Sequence, residues 1–113
     1  MGLQVESTSW EGGMSLRLIV ELDLASRFEA ESILLEPLES QSSLVVDLSA
    51  LTFMDSSGLA TLVHAKKTAE QSGRPFALVA GPPQVQRVLE VTGLLEEFVF
   101  VDTWMPDDEA PSE

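Results

Sequence analysis

The sequence predicts an α/β domain of element order β-β-α-β-α-β-α-β, with a mixed sheet of four to five strands flanked by about three to four helices. Three observations lead there. Two alternating segments are joined by Glu11-Gly12-Gly13, a nearly continuous apolar run fills Leu44 to Leu48, and strands and helical stretches alternate from that point on. A chain of 113 residues fits one domain around one core.

Leu3, Val5 and Ser7 alternate with Gln4, Glu6 and Thr8, the period of a half-exposed strand. Beyond the Gly-Gly turn, Leu16, Leu18, Val20 and Leu22 share one face and Ser15, Arg17, Ile19 and Glu21 the other. Met14 to Leu22 is therefore a second strand, paired with the first as a hairpin. Asp23 or Ser26 caps a helix running to about Ser40, with Phe28, Ile33, Leu34 and Leu35 as its apolar positions. Pro37 either ends that helix near Glu36 or marks its restart. After the polar break at Ser40 to Ser43, Leu44 to Leu48 reads as a strand covered on both faces, followed by a connector from Ser49 to Asp55.

Ser57 to Ser72 has helical spacing, with Leu59, Leu62, Val63 and Lys66 one to two turns apart and Ala60, Ala65 and Ala69 as small neighbours. Gly73 ends it and Pro75 prevents its continuation. Phe76 to Ala80 is a short strand. Pro82-Pro83 opens another helix at a position where no amide donor is missed, with Val85, Val88, Leu89 and Thr92 as its buried stripe and Gly93 as its stop. Phe98 to Val101 is the last strand, and the acidic, Pro-broken segment after it is expected to be a tail.

Composition removes most chemistries. The chain has no cysteine and one histidine, His64, so thiolate and multi-His metal sites and a catalytic Cys are excluded. Six Lys+Arg against nineteen Asp+Glu give a formal net charge of -13, which repels nucleic acid and anionic membrane surfaces. No apolar run reaches the roughly 18 residues of a membrane span. The first residues show neither a positive n-region nor an apolar h-region, so a cytoplasmic protein is expected. No phosphate-binding Gly-rich loop and no nucleophile elbow is present. His64 lies about two helical turns, roughly 10 Å, beyond Ser56 and Ser57, too far for the 3 Å contact of a Ser–His pair. It reads as a surface residue. The carboxylates at Glu96-Glu97 and Asp107-Asp108-Glu109 read as solvated charge.

One segment stands apart: Phe53-Met54-Asp55-Ser56-Ser57-Gly58-Leu59, joining a buried strand to a helix. Asp55, Ser56 or Ser57 is the natural N-cap. A hydroxyl at a helix N-terminus is also a place where phosphate can be added without disrupting the fold, because the helix dipole and the free amides tolerate an anion. Phe53, Met54 and Leu59 flank it as contact area or as core anchors.

The block from Val45 to Leu59, with Asp47-Leu48-Ser49 and Asp55-Ser56-Ser57-Gly58 inside it, closely resembles the central motif of the STAS domain family, in particular the bacterial anti-sigma factor antagonists. Glu21-Leu22-Asp23 and Val91-Thr92-Gly93-Leu94 resemble two further segments of that family, in the same order, so that the likeness spans about residues 3 to 102. The resemblance implies a STAS domain over residues 1–104 and an acidic tail over 105–113. It implies no catalysis by this chain, no cofactor and no metal. It implies a partner, an anti-sigma factor with serine kinase activity, that binds the unmodified chain and phosphorylates Ser56, and a PP2C-type phosphatase that reverses the modification. Asp55, Ser57, Gly58 and Leu59 would shape the phosphoacceptor loop, and Asp23 would lie near it and help meet the kinase. Val20 stands where the family usually has Gly, and Thr61 and Lys66-Lys67 lie outside its motif positions. The alternative within the same resemblance is a constitutive scaffold or accessory subunit of a signalling or transport complex.

Overall fold

The computed structural model describes residues 3–10, 12–39 and 43–101. The expected domain end at residue 104 and the expected tail lie outside the described residues. Among the described residues, six strands, β1 (Leu3–Trp10), β2 (Gly13–Leu22), β3 (Ser43–Asp47), β4 (Leu51–Met54), β5 (Phe76–Val79) and β6 (Phe100–Val101), are interspersed with α1 (Arg27–Glu39), α2 (Ser56–Ser72) and α3 (Pro83–Val91) in the order β1-β2-α1-β3-β4-α2-β5-α3-β6. A 3-10 turn at Leu95–Glu97 precedes β6.

β1 runs antiparallel to β2, and every other pairing is parallel. The sheet order is β1-β2-β3-β5-β6, with β4 paired to β2. The register lines up Ser7, Leu16, Val46, Leu78 and Phe100 across five strands. Because side chains alternate along a strand, such a row lies on one face. Its Leu16, Val46 and Leu78 join Leu34 and Leu38 of α1, Leu59 and Leu62 of α2, and Val85 and Leu89 of α3 in a single core.

The sheet carries one strand more than expected. β4 lies in the segment read as a connector, and its burial runs buried, exposed, exposed, buried, with no period of two to betray it. It follows β3 along the same side of β2. Val20 pairs with Leu51 and Glu21 with Phe53, so the register shifts by one residue at a bulge. Val20 therefore sits inside β2, and the chain leaves the sheet only after Leu22.

α1 passes through Pro37 without a break. The proline gives up the bond its amide would make to the Ile33 carbonyl, and only two helical residues follow it. In α3, Val85 and Leu89 are fully buried, but Thr92 is exposed. It serves as the C-cap, its hydroxyl donating to the Val88 carbonyl at 2.8 Å. Phe98, expected in the last strand, precedes β6 and tilts against Phe76, with ring centroids 6.4 Å apart.

Two contacts hold these strands in place, one at the end of β3 and the other where β2 and β4 finish. The first is Asp47. Its carboxylate accepts the Ser49 hydroxyl at 2.6 Å, the Ser49 amide at 2.9 Å and Arg17 Nε at 3.1 Å. Arg17 also meets Glu6 of β1, so one guanidinium ties three strands together. Burial pushes the Asp47 carboxyl up, but the Ser49 bonds and the Arg17 charge outweigh it and hold the group below its ordinary 3.8.

The second contact is the seat of α2. The Asp55 amide donates to the Leu22 carbonyl at 3.3 Å, and one turn on the helix crosses that same carbonyl at Gly58. A Cβ at Gly58 would stand 2.2 Å from the Leu22 oxygen and 2.9 Å from Leu22 Cγ. Hydrogen is the one side chain that fits.

Each contact gives a prediction. Asp47 has a depressed folded-state pKa, so its contribution is complete above 3.8 and is lost as pH falls through the lower folded value. Thermal melts from neutral to strongly acidic pH should show Asp47→Asn well below wild type near neutrality, with the two curves converging below the carboxylate range. Parallel curves would contradict this. Gly58→Ala should cost about 1–3 kcal/mol through overpacking, at about 4–8 °C of Tm per kcal/mol for a domain of this size. An unchanged Tm would show that the helix can back off freely.

Candidate functional site

The site is built on the first turn of α2. Asp55 is its N-cap, in extended backbone, and its carboxylate accepts the Gly58 amide at 3.0 Å. Of the three cap residues the sequence allows, Asp55 fills the role, which leaves both serine hydroxyls uncommitted to capping. Ser56 is the first helical residue, and it is exposed. Among the described residues its hydroxyl has no hydrogen-bond partner. Ser57 is half-buried, and its carbonyl accepts the hydroxyl of the buried Thr61 at 3.3 Å.

The flanks divide into anchors and surface. Met54 is 2% exposed and Leu59 3%, so both belong to the core and hold the loop from either side. Leu59, expected among the partner-binding residues, offers no surface of its own. Phe53 points out and is 47% exposed.

Asp23 reaches the same end of the sheet because it follows Leu22, whose carbonyl accepts the Asp55 amide. It is half-buried and organises its own turn. Its carboxylate accepts the Ser26 amide at 3.1 Å, while its amide donates to the Ser26 hydroxyl at 3.1 Å. This reciprocal pair caps the turn leading into α1. The expected residues Asp23, Asp55, Ser56, Ser57 and Gly58 thus gather where β2 and β4 end.

Sequence reasoning missed two exposed apolar residues here, Leu24 and Phe28, at 61% and 74%. Periodicity places Phe28 on the apolar side of α1 and gives Leu24 no role. The available signal is helical phase: Ser26, Ala30 and Leu34 are buried at intervals of four, which puts position 28 on the opposite face. His64 is an exposed residue of α2, with Nδ1 2.5 Å from Glu31 Oε2 of α1.

The arrangement can present a free hydroxyl, beside a carboxylate, on a turn whose backbone is locked. The dipole and the unpaired first-turn amides favour an anion there, whereas Asp55 next to it disfavours a second negative charge. Among the described residues, no group of three or more His, Cys, Asp or Glu could hold a metal ion, and no helix is long and apolar enough to cross a membrane.

Residues 4–109 match the family model of the STAS domain. The chain is 32% identical over 104 residues to the anti-sigma F factor antagonist of Paenibacillus polymyxa, covering 90% of this chain and 89% of that one. In structure it is similar to an anti-sigma factor antagonist from Mycobacterium paratuberculosis, with a TM-score of 0.80, 24% identity, and 89% and 86% of the two chains covered. It is also similar to the Bacillus cell fate determinant SpoIIAA in its phosphorylated form, with a TM-score of 0.69, 21% identity, and 96% and 95% covered. The family model spans nearly the whole of the fold just described, hairpin and parallel strands included: the chain belongs to the STAS domain family.

Proposed function

We propose that this chain is an anti-sigma factor antagonist, a binding module whose docking is gated by phosphorylation of Ser56. The observation that carries the proposal is the Ser56 hydroxyl, exposed and without a hydrogen-bond partner among the described residues, on a turn that Asp55 and Gly58 hold in place. The likeness to relatives named for this role, along nearly the full length of both chains, supports it.

In this reading the partner is an anti-sigma factor with serine kinase activity. It docks on the unmodified turn and releases its sigma factor. The kinase supplies ATP and the catalytic groups. Ser56 Oγ attacks the γ-phosphorus, the bond to ADP breaks, and the hydroxyl proton passes to a base of the kinase. A PP2C-type phosphatase restores the hydroxyl by hydrolysis. This chain performs no catalysis, holds no cofactor, and works in the cytoplasm.

The switch is electrostatic. Phosphate brings about -1.5 to -2 charges at neutral pH, next to Asp55 and into a chain already at -13. Like charges forced together at an interface cost several kcal/mol, and each 1.4 kcal/mol is about tenfold in affinity. The fold is spared because the phosphate lands on a solvent-facing group beside the helix amides. Phe53 supplies apolar contact, Asp23 meets the partner from the neighbouring turn, and Ser57, Gly58 and Leu59 keep Ser56 in position.

The test pairs pull-down with site mapping, using the cognate anti-sigma kinase. Wild type should bind, gain one phosphate on Ser56 in the presence of ATP, and then release. Ser56→Ala should bind and stay unmodified, and Ser56→Asp should bind at least about tenfold more weakly. Wild-type affinity in both variants, with normal release on ATP, would remove Ser56 from the switch.

A further inference from the structure

A second surface lies on the outer side of α1. Phe28, Glu31, Ser32, Leu35 and Glu36 line a concavity of about 520 Å³ there. Positions 28, 32 and 35 recur at the spacing of one helix face, and Leu24 stands one turn earlier. A phenylalanine at 74% exposure and a leucine at 61% have no role in the core. The rim carries three glutamates: Glu29 and Glu36 are exposed, and Glu31 is half-buried with its Oε2 on His64 of α2. One cation already tests the chemistry, for the Arg27 guanidinium rests 5.4 Å from the Phe28 ring centroid.

We infer that this groove docks a helical segment of a protein partner that carries Arg or Lys beside an apolar edge. Charge selects this occupant. A second copy would bring the same glutamates against each other, on chains of -13 apiece. The chain's own residues 102–113 carry Asp102, Asp107, Asp108, Glu109 and Glu113 and no Lys or Arg, so they are repelled. Nucleic acid and anionic membrane are repelled for the same reason. A basic amphipathic helix meets complementary charge at the rim and apolar area at Phe28, Leu24 and Leu35, the helix-in-groove mode of recognition.

The probe is a synthetic helix of about 15 residues with leucines on one edge flanked by arginines, and a counterpart with Glu in place of Arg. Each is titrated into the isotope-labelled full chain at about 0.15 M salt, with amide shifts recorded. The basic peptide should saturate, with shifts concentrated between residues 24 and 36. Phe28→Ser and Leu24→Ser should each weaken it at least about tenfold, while Val99→Ser, an exposed apolar residue beside the last strand, should not. Shifts spread evenly over the acidic surface, equal binding of the Glu peptide, or wild-type affinity in Phe28→Ser would overturn the inference. Self-association of the unmixed protein that Phe28→Ser abolishes would overturn it too, by assigning the groove to a second copy.

Discussion

The carbonyl of Leu22 at the end of β2 is the point on which the site depends. It takes the amide of Asp55, and α2 passes over it so closely that position 58 can carry no side chain. Strand, cap and helix are thereby fixed to one another within a few ångströms. The Asp55 carboxylate closes the same turn from its other side by taking the Gly58 amide. The consequence is division of labour between adjacent residues. Asp55 caps, Gly58 fits, Met54 and Leu59 anchor, and Ser56 is left with nothing structural to do. A residue free of structural duty can be modified without cost to the fold.

Charge acts at two scales. Locally, Asp47 gathers Ser49 and Arg17 into a network that joins β1, β2 and β3 below the site. This is the described carboxylate whose environment holds it clearly below its ordinary value. Globally, the excess of acidic residues limits what the molecule can touch. A partner must be basic where it meets this surface, or must confine its contacts to the apolar residues at Leu24, Phe28 and Phe53. The same excess makes one added phosphate effective, since the field it joins already has its sign.

Much of this was legible in the residues. The hairpin, the buried third strand and the two later helices follow from period and from Gly and Pro punctuation, because each pattern maps directly onto burial. The Asp55–Leu59 turn was legible because cap chemistry is local. Three features were not. β4 is too short to show a period, and its existence depends on pairing with the last residues of β2. The outward position of Phe28 follows from a helical phase in which Ser26, Ala30 and Leu34 face the core, a phase that the apolar run from Ile33 to Leu35 obscures. The need for glycine at 58 arises from the approach of a strand more than thirty residues away in sequence, a contact that no local reading contains.

The central claim is that a dianion at Ser56 abolishes an association while leaving the architecture intact. The most direct measurement takes one purified sample, stoichiometrically phosphorylated and site-mapped, and compares it with the unmodified chain in two ways: calorimetric affinity for the anti-sigma kinase, and the thermal transition. The account predicts at least about a hundredfold loss of affinity, with a transition temperature shifted by only a few degrees, about 1 kcal/mol or less. Unchanged affinity, or a loss of affinity accompanied by collapse of the thermal transition, would contradict it.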